Sequence, residues 1–185
     1  MLIPVLTCVA ILAVLFVVIV ASRPSEFRVS RSLAISAPAE FVFDQVNTLR
    51  QWEAWNPWGK LDPNAKMTYA GPPAGVGASY TWTGNSRIGE GRNTIVESKR
   101  AEFVRFRLEF FKPMKAVNSV EFTFKPQSDQ TFVTWTMSGK NGFVCKAFGL
   151  FVNCDKMCGG QFEKGLAAMK MVAENAATKP QPALA

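Results

Sequence analysis

The sequence predicts an α+β fold in which a long C-terminal helix packs on a seven-stranded antiparallel sheet, all of it preceded by one transmembrane helix. Three observations lead there. Residues 2–21 are an uncharged apolar run. From Phe27 to Ser138, short segments alternate apolar and polar residues between clusters of Gly, Pro, Asn, Asp and Ser. Beyond Gly142 the apolar residues recur every three or four positions. The second and third patterns are the periods of a half-buried strand and of an amphipathic helix.

The apolar run, LIPVLTCVAILAVLFVVIVA from Leu2 to Ala21, as a helix rising about 1.5 Å per residue matches a hydrocarbon core of ~30 Å. Pro4 sits in its first turn, where a missing N–H costs nothing. A cleaved signal peptide would show a basic leading region and an apolar core of about 7–15 residues. Neither is seen, although Ala21 satisfies a small-residue cleavage rule. Residues 1–22 are therefore expected to be an anchor and 23–26 a short linker. No Lys or Arg precedes the run, whereas Arg23, Arg28 and Arg31 come after it, which places the domain on the cytoplasmic side.

The domain is expected over 27–176. Phe27, Val29, Leu33 and Ile35 fall at odd positions of a first strand. Ser36 suits an N-cap, with Pro38 near the first helical position and Glu40 in the first turn of a helix running through Phe43. Trp52, Trp55 and Trp58 crowd the segment that ends this helical region at Asn56-Pro57. Six strands come next, at Lys66–Ala70, Ala78–Thr83, Gly89–Ser98, Phe103–Phe111, Val117–Lys125 and Phe132–Ser138. In the fourth of these Val104, Phe106, Leu108 and Phe110 alternate with Arg105, Arg107 and Glu109, so one face is apolar and the other wet. Phe151, Cys154, Cys158, Phe162, Leu166, Met169 and Val172 make the stripe of the last helix. Residues 177–185 read as a disordered tail.

Composition removes several functions. The chain has no histidine, the commonest general base near neutral pH and a frequent ligand of zinc and haem. Three thiols in the soluble part, Cys145, Cys154 and Cys158, supply neither a four-ligand zinc site nor an even disulfide framework. No metal and no cofactor are expected. Twenty-one Lys and Arg against 14 Asp and Glu give a formal charge of +7, which favours anionic surfaces. The basic residues are scattered singly, Lys99-Arg100 being the one adjacent pair, so nucleic acid is not an expected partner. A face beside anionic lipid suits them better.

Six segments carry a resemblance. They are Ile35-Ser-Ala-Pro-Ala-Glu-Phe-Val-Phe43, the Trp52 to Trp58 segment, Gly71-Pro-Pro-Ala-Gly-Val-Gly-Ala-Ser-Tyr-Thr-Trp82, Gly89-Glu-Gly91, Val133-Thr-Trp-Thr-Met137 and Phe162-Glu-Lys-Gly-Leu166. In this order they resemble the START-like or SRPBCC superfamily, in its polyketide cyclase/dehydrase-type branch, over roughly Val29 to Ala173. The resemblance implies a helix-grip fold, the antiparallel sheet curved around the long C-terminal helix, with a mostly apolar cavity between the two. Gly159-Gly160 and Gly165 agree with either room or close backbone approach there. Strand parity and the helical stripe nominate the lining: Tyr80, Trp82, Asn93, Ile95, Phe106, Leu108, Val120, Phe122, Val133, Trp135, Met137, Cys158, Phe162, Leu166 and Met169. Trp55, with its neighbours Trp52 and Trp58, stands either at the mouth of this cavity or as a lock between the short helices and the sheet.

No nucleophile motif is present, since Gly84-Asn-Ser-Arg-Ile-Gly89 has one residue too many for a G-x-S-x-G elbow. Glu90 and Glu97, an odd distance apart on one strand, are expected on opposite faces and cannot act together. The leading expectation is a membrane-anchored domain that binds an apolar or lipid-like small molecule without catalysis. Two alternatives are a cyclase, dehydratase or hydrolase using Glu97, Tyr80 or Asn93 with water, and a tethered interaction module whose core is filled and whose surface carries an apolar patch.

Overall fold

Every expected strand forms, and each pairs antiparallel with its neighbours. The computed structural model describes residues 2–150 and 154–177. After α1 (Leu2–Ala21) come β1 (Glu26–Ile35), α2 (Ala39–Asn47), the single-turn helix α3 (Trp52–Trp55) flanked by two 3₁₀ turns, and then β2 (Lys66–Ala70) and β3 (Ser79–Thr83). The meander continues through β4 (Glu90–Lys99), β5 (Phe103–Lys112), β6 (Ala116–Gln127) and β7 (Gln130–Lys140), before α4 (Phe143–Phe148) and α5 (Cys154–Ala177). The sheet order is β1-β7-β6-β5-β4-β3-β2, so the first strand adds to the free edge of the last. Phe151 of the expected stripe lies outside the described residues, as does the expected tail except for Ala177, the last residue of α5.

Alternation decides which face is covered. Val104, Phe106, Val120, Phe122, Phe124, Val133, Trp135 and Met137 are all buried on one face. Over β1 and β7 lies α5, with Phe162, Leu166, Met169 and Ala173 buried, while α2 and the α3 segment cover β5 and β6. Gly91 stands opposite Trp82 in the β3–β4 ladder. A Cβ there would collide with the indole, so the absent side chain leaves the place that the ring occupies. Gly89, at φ +64° in the preceding turn, takes a conformation that other residues adopt only at a cost.

Three local expectations are corrected. Ser36 is not the N-cap of α2; Pro38 takes that position with no side-chain bond. The Ser36 backbone N–H instead donates to Glu174 Oε1 at 2.8 Å, tying the loop to the C-terminal end of α5. Glu90 and Glu97 do not face opposite ways. A bulge at Val96 shifts the β4–β5 register, so Glu97 lies opposite Arg105 and pairs with it, and one extra residue reverses the parity of the strand beyond it. Glu90 pairs with Lys112 on the same outer face. Finally, the helical region after Gly142 is broken in two, with α4 ending before Gly149.

Charged clamps hold both ends of α5. Arg31 on β1 donates to Asp155 Oδ2 at 2.9 Å and to Glu163 Oε1 at 2.7 Å, and the guanidinium lies where a Cβ on Gly159 would be. Gly165 is likewise a close approach, its missing Cβ falling 2.7 Å from the Trp135 ring. Arg31 holds the Asp155 carboxyl below the ordinary carboxylate range, and the Ser36 N–H, aided by Lys170, does the same for Glu174. A carboxyl whose folded pKa is depressed adds stability above its unfolded pKa of ~4 and loses it as pH falls through the lower folded value. Acidification below that range is therefore expected to loosen both ends of α5. Amide hydrogen exchange across 154–177, corrected for its intrinsic pH dependence, should show this, and Asp155→Asn should remove the pH dependence at the first turn alone.

Candidate functional site

The residues expected to line a cavity are brought together, but against one another. Trp55, Ile95, Phe106, Phe122, Trp135, Phe162, Leu166 and Met169 are 0–2% exposed. Trp135 is the hub: its ring stacks on Phe162 with centroids 4.4 Å apart and 7° between planes, and lies 4.7 Å from Phe122. The tryptophans of the α3 segment complete the filling. Trp52 meets Phe106 at 5.2 Å and Trp55 meets Trp135 at 5.8 Å, while their indole N–H groups donate to the carbonyls of Val46 and Gln45. They lock the short helices to the sheet.

Tyr80 and Asn93, opposite each other across β3 and β4, form a polar pair sealed among aromatic rings. Trp52 and Trp82 both stand 5.9 Å from the Tyr80 ring. Burial pushes the Tyr80 phenol up to about 12, with the Asn93 hydrogen bond pulling the other way. Asn93 Oδ1, Trp135 Nε1 and Gln45 Oε1 have no hydrogen-bond partner among the described residues. Met137 and Trp82 close the buried set, and Leu108 and Cys158 are half-buried at its margin. Glu97, paired with Arg105, lies on the outer face of the sheet, away from the buried side.

The open space lies at one end of the sheet. A groove of about 1070 Å³ is bordered by the start of β1, the end of β5, the β5–β6 turn, the start of β6, the end of β7 and α4. None of the residues nominated from the sequence borders it. The strand residues Phe27, Phe110, Ala116, Asn118 and Gly139 have the parity of the core-facing set, one step beyond Met137, Val120 and Leu108. The groove is thus the uncovered end of the same face that α2, the α3 segment and α5 cover elsewhere. Gly139 makes room for two of its neighbours, because a Cβ there would meet the Asn118 amide and the Phe27 ring. Met114 from the turn and Phe143 and Val144 from α4 form the apolar walls, with Lys115, Lys140 and Glu26 as the charged residues. A groove of this size, mainly apolar with a few polar groups, suits a small amphipathic or apolar molecule.

The sequence carries only faint signals for this site. Phe143, Val144 and Phe148 do not continue the α5 stripe, and Met114 and Val117 follow Pro113 in and after the β5–β6 turn. Local sequence shows these residues apolar without showing that one end of the sheet gathers them.

Likeness to known proteins agrees with the fold. The model of the family described as polyketide cyclase/dehydrase and lipid transport matches residues 26–174. The chain belongs to this family. The matched segment begins at the first residue of β1 and leaves α1 outside it, so α1 is an addition to the polyketide cyclase/dehydrase domain. No curated protein matches the sequence. Among solved structures, protein CV1439 from Chromobacterium violaceum is similar at 15% identity and a TM-score of 0.58, covering 82% of this chain and 99% of its own. The di-domain ARO/CYC StfQ from the steffimycin biosynthetic pathway matches at 9% identity and a TM-score of 0.59, over 83% of this chain and 52% of that one. The Aha1 dimer from Colwellia psychrerythraea matches at 16% identity and a TM-score of 0.52, over 82% and 96%. These likenesses establish the helix-grip fold. The family membership makes the chain a ligand-binding type of domain, and α1 is long and apolar enough to cross a membrane.

Proposed function

We propose that this protein is a membrane-anchored binding domain that takes an apolar or lipid-like small molecule into the groove at the α1-proximal end of the sheet. The observation that carries the reading is the groove itself, about 1070 Å³ and walled by Phe27, Phe110, Met114, Phe143 and Val144. The conventional space beneath α5 is occupied by Trp55, Trp135, Phe122 and Phe162. Lys115 and Lys140 offer cations to an anionic headgroup or carboxylate, and the neighbouring apolar walls offer contact to an acyl chain. The name of the family includes lipid transport, which agrees in kind. Catalysis by Tyr80 or Asn93 lacks support, because both are enclosed away from the groove. The three arginines just beyond α1 favour a cytoplasmic position for the domain.

A diazirine-bearing fatty acid added to the full chain in vesicles provides the test. Labelling within 110–119 and 138–145 that saturates, and that excess unlabelled fatty acid abolishes, is the expected result. Labelling confined to α1, or rising linearly without saturation, would sink the proposal.

A further inference from the structure

We infer that the domain end surrounding the groove is a lipid-contacting face, seated in the headgroup region of an anionic bilayer, so that the groove opens toward lipid rather than bulk water. This deepens the proposed function and rests on its reading of α1 as a bilayer span.

Distance is the first consideration. Only residues 22–25 separate α1 from β1. In addition α4 packs against α1, with Lys146 Nζ donating to the Ala21 carbonyl at 3.5 Å and Val20 enclosed. A tether this short, braced from the side, holds α4 at the level where α1 leaves the hydrocarbon.

Surface chemistry is the second. Met114, Val117, Phe143, Val144 and Phe148 are 49–61% exposed, and the first four border one groove. Soluble domains seldom leave such a cluster uncovered, and here it continues directly into the exposed apolar surface of α1. Charge is the third consideration. Arg23, Lys115, Lys140 and Lys146 surround this end, against Glu26, while Asp155 and Glu90 are engaged by Arg31 and Lys112. A ring of basic residues around apolar side chains matches an anionic leaflet, where apolar groups enter about 5–10 Å into the headgroup and acyl boundary.

The test uses the full chain in vesicles of phosphatidylcholine and phosphatidylglycerol whose acyl chains are brominated near the headgroup. Phe148→Trp and Met114→Trp each add one indole at the face, and Lys125→Trp adds one at the exposed far end of β6 as a control. The emission added at 148 and 114 is expected to be largely lost to bromine quenching, and that at 125 to be retained. Lys115→Glu combined with Lys140→Glu should weaken the quenching at 114 in anionic vesicles and leave it unchanged in pure phosphatidylcholine. Extraction with alkaline carbonate reads the anchor separately. A chain that resists extraction but shows no quenching at 148 and 114 overturns this inference and leaves the anchor standing; cross-linking between copies at 148 would then assign the face to self-association. A chain that is extracted yet quenched when bound overturns the anchor and keeps the face.

Discussion

Changing Trp135 to alanine is expected to destabilise the domain by about 3–5 kcal/mol, the range for removing a large aromatic side chain from a closed core. Trp135 is 2% exposed and contacts Phe162, Phe122, Trp55 and Trp58 at ring distances of 4.4–5.8 Å. It joins α5, the sheet and the α3 segment at once, so the cavity left behind cannot be closed by moving one element. Phenylalanine at the same position should cost far less. The Trp135 indole N–H has no partner among the described residues, so the replacement breaks no hydrogen bond. Trp55→Phe is the informative contrast. It removes a 3.1 Å bond to the Gln45 carbonyl and leaves that buried acceptor unpaired, adding about 1–3 kcal/mol to the packing loss. Urea titrations of the micelle-solubilised chain separate these cases. If Trp135→Ala proved as mild as Trp135→Phe, the region beneath α5 would have to be loosely filled, and a second ligand space there would return.

The aromatic hub also explains where reading from sequence succeeds. Strand parity in Val104-Phe106-Leu108-Phe110 assigns the covered face because successive side chains alternate whatever lies above them. The stripe from Cys158 to Val172 identifies α5 for the same kind of reason, a period fixed by backbone geometry. Parity says which side chains point inward. It does not say whether they meet each other or a ligand, and that depended on Trp52 and Trp55 arriving from a different segment. The failed local expectations have similar causes. One extra residue at Val96 moved Glu97 to the face of Glu90 without leaving a mark in the alternation. Ser36 resembles a cap, yet α2 starts two residues later, with Pro38 at the N-cap, and the Ser36 hydroxyl oxygen accepts instead from Gln130 Nε2, distant in sequence. The groove was the hardest feature to foresee, because its walls come from the ends of four strands, a turn and α4, none with a motif of its own.

Filling the groove should abolish ligand capture while leaving the fold intact. Ala116 borders the groove, shares the parity of the core-facing residues, and lies opposite Phe110 in the β5–β6 ladder. An indole placed there has open space ahead of it, so Ala116→Trp is expected to change stability by no more than about 0.5 kcal/mol, as for a surface site. Its effect on saturable labelling by the fatty-acid probe should be at least about tenfold, equivalent to about 1.4 kcal/mol of binding. Val96→Trp supplies the matched control, since Val96 is 46% exposed at the bulge, away from the groove. The comparison also separates binding from membrane contact. Ala116→Trp leaves Phe148, Met114 and Lys146 in place, so contact with the bilayer should persist when capture is lost. Equal labelling of the Ala116→Trp and Val96→Trp chains would mean that the ligand does not occupy the groove, whatever surface the domain rests on.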